Sequence, residues 1–262
     1  MANMTSSVSA SQVAGELASA TFEEIPALVE HYREDPRQQV IKACERALKR
    51  HAKELAERER VNDMYELMHE LGGDGVVVGV DEVGRGSVAG PLTVCAVCLP
   101  MEPRVWGIND SKKLTPARRE LLSVKIAEVA TAIGFCHIAP KDIDEMGMAR
   151  AIRAAVAGAV ADTGLEPDCV LMDGNPLGAV PNERDVVKGD AKIACIAAAS
   201  IMAKVTRDEM MVEYDAEYPE YHLAESKGYA SPEHIGAIRK HGLCPLHRVS
   251  FCGNFLQTER LF

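Results

Sequence analysis

From residue 75 onward the chain alternates short apolar runs with longer stretches in which apolar residues recur every three or four positions. Gly75-Val-Val-Val-Gly-Val80 is a β-branched run of the kind that forms a buried strand. Residues 89–99 and 133–139 read as two further strands, 168–172 as another and 184–188 as a shorter one. Residues 116–130, 141–162, 190–214 and 232–241 predict helices. Three strands in a row followed by alternating helices and strands imply an α/β fold, a mixed sheet with helices on its faces. Upstream, Ile41, Cys44, Leu48, Ala52 and Leu55, and then Val61, Met64, Leu67, Met68 and Leu71, recur at helical spacing. Residues 23–71 therefore predict a small helical module, closed by Gly72-Gly73-Asp74-Gly75, while residues 1–12, rich in Ser, Ala and Thr, predict a disordered tail. The expected division is a tail and helical module over 1–72 and a larger α/β domain over 73–262, ending in a helical region.

Composition narrows the class. With 262 residues, 47% hydrophobic and 26% charged, the chain is neither disordered, collagen-like nor a disulfide miniprotein. Its longest apolar stretches, such as 154–161, fall far short of the roughly 20 residues that a membrane span needs. The first fifteen residues contain no Lys or Arg, so no secretory signal pattern is visible. Eight cysteines scattered from Cys44 to Cys252 suit reduced thiols, and a soluble cytoplasmic protein is expected. Cys95 and Cys98 have CxxC spacing but sit inside a predicted strand, where residues three apart face opposite ways. They read as core residues, not as half of a zinc site.

The net charge of −10 argues against a polyanionic partner until its distribution is considered. Residues 42–60 carry seven basic side chains against four acidic ones, and residues 225–260 carry five against three. The helical module is thus either a packing appendage or a basic helix that helps hold nucleic acid.

The informative acids stand at the ends of apolar strands. Asp81 and Glu82 follow a wholly apolar run, Asp173 follows 168–172, and Asp190 opens the helix predicted from 190. Asp173-Gly174 alone is a turn signal and Asp190 alone a helix cap. Two adjacent acids ending a buried strand are harder to dismiss, because burying them costs several kcal/mol unless a cation or donors compensate. Carboxylates converging from neighbouring strands suit Mg²⁺ or Mn²⁺, the cations that prefer oxygen ligands. Gly84-x-Gly86-x-x-Ala89 loosely matches a dinucleotide-binding fingerprint, but Gly90-Pro91 and a β-rich run follow it where a helix must open, so the fingerprint fails.

An ordered series of blocks then resembles the type 2 ribonucleases H, and within them the ribonuclease HII family. It comprises Asp-Glu-Val-Gly-Arg-Gly-Ser-Val-Ala-Gly-Pro (81–91), Asp-Ser-Lys-Lys-Leu (110–114), Met-Asp-Gly-Asn (172–175), Lys-Gly-Asp (188–190), the stretch 197–208, Lys-Gly-Tyr (227–229) and His-Arg-Val-Ser-Phe (247–251). The resemblance spans about 75–251. Gly-Arg-Gly in place of Gly-Thr-Gly, and Asp at 190 in place of Glu, favour ribonuclease HII over ribonuclease HIII. The resemblance implies a ribonuclease H-like fold and hydrolysis of the RNA strand in RNA/DNA hybrids. It also implies cutting 5′ of single ribonucleotides embedded in duplex DNA, by a two-metal-ion mechanism leaving 5′-phosphate and 3′-hydroxyl ends. By the same resemblance Asp81, Glu82, Asp173 and Asp190 are the catalytic, metal-holding acids, with Mn²⁺ or Mg²⁺ as cofactor. Gly84, Arg85 and Gly86 form the element that approaches the ribose, and Tyr229 is similar in context to the family's junction-sensing tyrosine.

Glycines at 84 and 86 would let backbone N–H and C=O groups reach a 2′-hydroxyl, with Arg85 on the adjacent phosphate. Lys112, Lys113, Lys204 and Arg207 are candidate phosphate contacts, each also readable as an ordinary solvated side chain. His247 and Arg248 read either as further phosphate contacts or as caps. Ala-Ser-Pro at 230–232 departs from the family, which often has Thr two residues after the tyrosine. Residues 257–262 loosely resemble a peptide that binds a sliding clamp, against the plainer reading of a packed helix end. A nuclease that needs a run of ribonucleotides and a non-catalytic binder are the competing readings; four clustered acids beside phosphates argue against the binder. No sustained heptad calls for a dimer, and a monomer is expected.

Overall fold

The computed structural model describes residues 8–256. The chain divides into two compact units, residues 1–62 and residues 63–262, and the boundary falls inside one long helix.

The first unit contains α1 (Ala10–Ser19), α2 (Ile25–His31) and the start of α3 (Gln38–Gly72). Val13, Leu17, Ile25, Val40, Ala43 and Ala47 form its core. Residues 10–12, expected in a disordered tail, instead open α1. Ser9 Oγ accepts from the Gln12 amide while the Gln12 side chain accepts from the Ser9 amide, a reciprocal cap that starts the helix. Residues 1–7 of the expected tail lie outside the described residues. The two helical patterns over 41–55 and 61–71 belong to one continuous α3. Several of its basic residues are engaged: Arg50 donates to the carbonyls of Leu17 and Ala20 at the end of α1, and Arg58 pairs with Glu23 and Glu54. Lys42, Arg46, Lys49 and Lys53 are exposed.

The second unit is built on β1 (Val77–Val83), β2 (Leu92–Cys98), β3 (Ala132–Ile138), β4 (Cys169–Asp173) and β5 (Glu183–Val186). The order across the sheet is β3-β2-β1-β4-β5. β1 pairs antiparallel with β2 and β2 with β3, whereas β1–β4 and β4–β5 are parallel. This is the mixed sheet that the pattern predicts. β2 is shorter than residues 89–99 because Ala89 bridges to His247 instead of to a sheet neighbour. The helices are α4 (Pro116–Val129), α5 (Pro140–Met146), α6 (Met148–Asp162), α7 (Ala194–Glu217), α8 (Leu223–Ser226), α9 (Pro232–His241) and α10 (Val249–Leu256). The single helix expected over 141–162 is two, broken at Gly147, whose φ of 78° ends α5 and turns the chain into α6.

One face of the sheet packs Val78, Val80, Val94, Ala96, Val170 and Met172 against the α6 residues Ile152, Ala155, Val156 and Ala159. Cys98 joins this layer, while Cys95, three residues earlier, points to the other face. Both are buried free thiols, as expected of core cysteines. The opposite face receives α7. A Cβ on Gly79 would lie 2.3 Å from the Cys195 carbonyl carbon, so glycine is what lets α7 settle directly on β1. A second core, with Val88, Ala89, Met211, Tyr221, Leu223, Ile238 and Cys252, ties the loop after β1 to the C-terminal helices. No helix among the described residues is long and apolar enough to cross a membrane.

Candidate active site

The acids meet where β1 and β4 run side by side. Val80 is in register with Met172, so the next step along both strands sets Asp81 beside Asp173. Asp173 Oδ1 accepts from the Gly189 amide at 2.6 Å, which pins the turn carrying Asp190. Asp190 is not the first residue of α7, as the pattern suggested. It lies in a separate 3₁₀ turn, Gly189–Ala191, and α7 starts at Ala194 with no side-chain cap.

Electrostatics set this group apart. Burial raises the Asp81 pKa to about 8, and the Glu82 and Asp173 charges push the same way, against hydrogen bonds from Ser200 and the Glu82 amide. Burial also raises Glu82, with Asp173 adding to the rise and Arg85, 3.5 Å away, opposing it. Asp190 is raised by burial, then by Asp173 and Asp110, against Lys112 at 3.5 Å. Asp173 is thus felt by all three other acids. Among the described residues no three His, Cys, Asp or Glu side chains come close enough together to enclose an ion, so the carboxylates gather without closing. As an all-oxygen donor set with more negative charge than its two neighbouring cations offset, it fits a hard divalent cation such as Mg²⁺ or Mn²⁺.

Sequence reasoning missed two hydroxyls here. Ser200 on α7 is hydrogen-bonded to Asp81, and its Oγ lies 2.9 Å from Ser111 Oγ. The Asp-Ser-Lys block is therefore wired to the central acid through two buried serines. Their signal was available: Ser200 is the polar residue in the otherwise apolar run 193–203. Asp110 Oδ1 accepts from the Lys112 amide at 2.9 Å, which presents the exposed Lys112 and Lys113 at the rim. Lys204, a candidate phosphate contact, is instead in an ion pair with Asp208 at 2.7 Å.

Beside the acids stands a wall made of the loop after β1 and the turn before α9. Gly84 has φ 83°, and a Cβ there would lie 2.3 Å from Arg207 Nε, so this glycine serves the fold. Gly86 differs: nothing lies within 4 Å of where its Cβ would be, and its backbone is unstrained. Tyr229 is 40% exposed, with its ring 5.7 Å from the Arg207 guanidinium. Gly228 links the two parts of the wall, its carbonyl accepting from the amides of Val88 and Ala89. Ser231, the residue that keeps a hydroxyl where the family often has Thr, caps α9 by accepting from the His234 amide, and Pro232 takes the first helical position.

Arg207 corrects an expectation. It is fully buried and cannot contact a phosphate; it donates to the carbonyls of Pro91, Ala89 and Lys227 and to Ser87 Oγ. Arg248 is equally buried and donates to the carbonyls of Gly90 and Arg85, so it props the Gly-Arg-Gly loop from behind. Burial, and then the nearby Arg207 charge, lower the Arg248 pKa to about 10, which leaves it cationic at neutral pH. Residues 257–262, with the clamp-like peptide, lie outside the described residues.

The chain is similar to known proteins over most of its length. Residues 78–254 match the ribonuclease HII family, and residues 9–71 match the ribonuclease HII N-terminal domain. Ribonuclease HII of Ruminiclostridium cellulolyticum is 44% identical over 204 residues, covering 77% of this chain and 80% of that protein. Ribonuclease HII of Geobacillus thermodenitrificans is 42% identical over 224 residues, covering 85% and 86%. Among solved structures, ribonuclease H2 from Pyrococcus horikoshii superposes with a TM-score of 0.59 at 27% identity, over 70% of this chain and 99% of that one. A strand-end carboxylate group beside a glycine-bearing wall, in a chain so similar to these enzymes over most of its length, identifies a ribonuclease H: the chain belongs to the ribonuclease HII family.

Proposed function

We propose that this enzyme, beyond hydrolysing RNA in RNA/DNA hybrids, cuts duplex DNA on the 5′ side of a single embedded ribonucleotide, using two divalent ions, Mg²⁺ or Mn²⁺. The products are 5′-phosphate and 3′-hydroxyl ends. The observation that carries the reading is that the Asp173 charge raises the pKa of Asp81, Glu82 and Asp190 alike, a gathering of carboxylates with too few cations beside it.

In this reading Asp81, at the end of the central strand, and Asp173, tied to the turn of Asp190, hold the ions together with Glu82 and Asp190. Bound there, the ions supply an activated water and neutralise the leaving 3′-oxygen. The Ser111–Ser200 pair keeps the Asp81 carboxylate aimed. Gly86 offers bare backbone to the ribose 2′-hydroxyl, which both donates and accepts. Arg85, the exposed cation of the loop, meets the adjacent phosphate, and Lys112 and Lys113 meet the strand at the rim. Tyr229 packs its ring on the sugar beyond the junction. Beneath this wall, two buried guanidiniums that form no ion pair among the described residues add positive potential that favours a polyanion.

The test is cleavage of a labelled DNA duplex holding one ribonucleotide, with Mg²⁺, Mn²⁺ or EDTA. A single metal-dependent cut 5′ of the ribonucleotide is expected. Cutting of long hybrids only would remove the roles given to Gly86 and Tyr229 and favour a nuclease that needs a run of ribonucleotides.

A further inference from the structure

Behind Tyr229 lies a buried histidine pair that the proposed chemistry does not use. His234 is on the first turn of α9, and its ring folds back so that Nδ1 lies 2.9 Å from the Tyr229 carbonyl oxygen. His234 Nε2 lies 3.1 Å from His247 Nε2. His247 Nδ1 in turn lies 3.0 Å from the Cys244 amide, which donates to it.

The partners dictate the tautomers. A carbonyl only accepts, so His234 carries its proton on Nδ1 and its Nε2 is a lone pair. The Cys244 amide only donates and lies nearer His247 Nδ1 than the Cys244 carbonyl, which is 3.3 Å away and already accepts from the His247 amide, so Nδ1 is assigned the lone pair and Nε2 the proton. The result is a one-way relay in which every ring nitrogen is satisfied: Cys244 N–H to His247, His247 Nε2–H to His234, His234 Nδ1–H to the Tyr229 carbonyl. The link between the rings needs a neutral His234, since a proton added to its Nε2 sets two donors face to face.

The same segment reaches the other half of the wall. Arg248, next to His247, donates to the Arg85 carbonyl, its amide donates to the Val88 carbonyl, and the Leu246 carbonyl accepts from the Gly90 amide. Residues 246–248 thus hold Tyr229 through one arm and the Gly84–Gly86 loop through the other. We propose that His234 and His247 are positioning residues that, together with Arg248, lock Tyr229 in register with the Gly84–Gly86 loop, and so set the preference for a single ribonucleotide over a continuous hybrid. This inference rests on the reading of Tyr229 and Gly86 given above.

The surroundings favour neutrality. Burial, and then His234, lower the His247 pKa to about 4. His234 is lowered by burial, with the nearby His222 adding to the effect and the Tyr229 carbonyl opposing it. The Tyr221 ring stands edge-on to His247 at 4.7 Å and also touches His241, Cys244 Sγ lies 3.2 Å from His247 Nδ1, and Glu220 acts on Cys244. No carboxylate among the described residues bonds either ring; the Tyr229 and Cys244 carbonyls favour the charged forms, and burial outweighs them.

The experiment compares kcat/KM for a duplex with one ribonucleotide and for a continuous RNA/DNA hybrid, in wild type and in His234→Ala, His234→Asn and Tyr229→Ala, with unfolding midpoints for each. His234→Ala removes the side-chain donor to the Tyr229 carbonyl, leaving the Ser231 amide as its local donor, and is expected to lower the single-ribonucleotide to hybrid ratio by about tenfold, with hybrid cleavage little changed. His234→Asn, whose amide nitrogen replaces Nδ1–H, is expected to restore most of the ratio. In wild type the ratio should stay level from about pH 8 to about 6.5 and fall only as pH drops below that, where the lowered rings take up protons, with a smaller fall in His234→Asn. Both substrates use the same acids, so the titration of the carboxylates cancels in the ratio. Equal loss on both substrates, or an unchanged ratio in folded His234→Ala, would overturn the proposal while Tyr229→Ala still lowers the ratio. An unchanged ratio in Tyr229→Ala would instead refute the reading of the tyrosine, and the relay's role with it. If His234→Ala does not fold, a wild-type ratio that stays constant as pH drops from about 6.5 to about 4 overturns the proposal.

Discussion

The floor and the wall of the site are built on opposite principles. At the floor, Asp81, Glu82, Asp173 and Asp190 gather so that the Asp173 charge raises the pKa of the other three and Glu82 adds to the rise of Asp81, and the cations nearby, Arg85 and Lys112, are exposed and too few. In the wall, Arg207, Arg248, His234 and His247 are buried with their donors and acceptors matched. The floor is electrostatically incomplete until a cation arrives; the wall is complete without any ligand. Under the proposed mechanism the difference separates groups that do chemistry from groups that hold shape, and it predicts opposite responses to substitution.

The largest expected effect is at the floor. Asp81→Asn should reduce cleavage on the order of a thousandfold while leaving the fold intact. In EDTA at about pH 8 this variant should unfold at a higher temperature than wild type, because a buried, repelled charge is gone. A wall variant should do the reverse. Arg248→Met leaves the Arg85 and Gly90 carbonyls without their donor and should cost about 3 kcal/mol in stability, measured by denaturant unfolding. If both variants destabilise alike, the contrast between floor and wall is wrong.

The pH dependence has a defined sign. The folded Asp81 pKa, about 8, lies above its ordinary value. The protonated form is thus favoured by folding, and its stabilising contribution is lost as pH rises through about 8. Metal-free wild type should therefore lose stability from about pH 4 to about pH 8, and Asp81→Asn should flatten that slope. The smallest stability effect separates two glycines of one motif. Gly84→Ala meets a positive φ and the Arg207 side chain and should cost about 1–2 kcal/mol or more. Gly86→Ala should leave the unfolding midpoint unchanged yet weaken cleavage at a single ribonucleotide, because its Cβ faces open space. Equal unfolding midpoints for the two variants would show that the loop is not braced as described.

Sequence legibility divides along the same line. Asp81-Glu82 could be read because acids ending an apolar run need a reason, and the strands could be read as short apolar runs separated by helical periodicity, whereas nothing local marks their order across the sheet. Arg207 was misread as a phosphate contact because its partner Pro91 lies 116 residues away, and burial created by such distant contacts leaves no local mark. The pairing of His234 with His247 depends in the same way on the fold bringing two ends of a loop together. Asp190 resembled a helix cap because a 3₁₀ turn and a helix start share Gly-Asp before an apolar run. The Ser9–Gln12 cap, by contrast, was present in the sequence and was obscured by the Ser-rich composition around it.

The most direct test of the central claim, that the strand-end acids form a divalent-cation site, is a calorimetric titration of the free enzyme with Mn²⁺ at low ionic strength. Wild type should bind, and Asp81→Asn and Asp173→Asn should each weaken binding by tenfold or more, about 1.4 kcal/mol. Binding of equal strength in all three proteins would contradict the account.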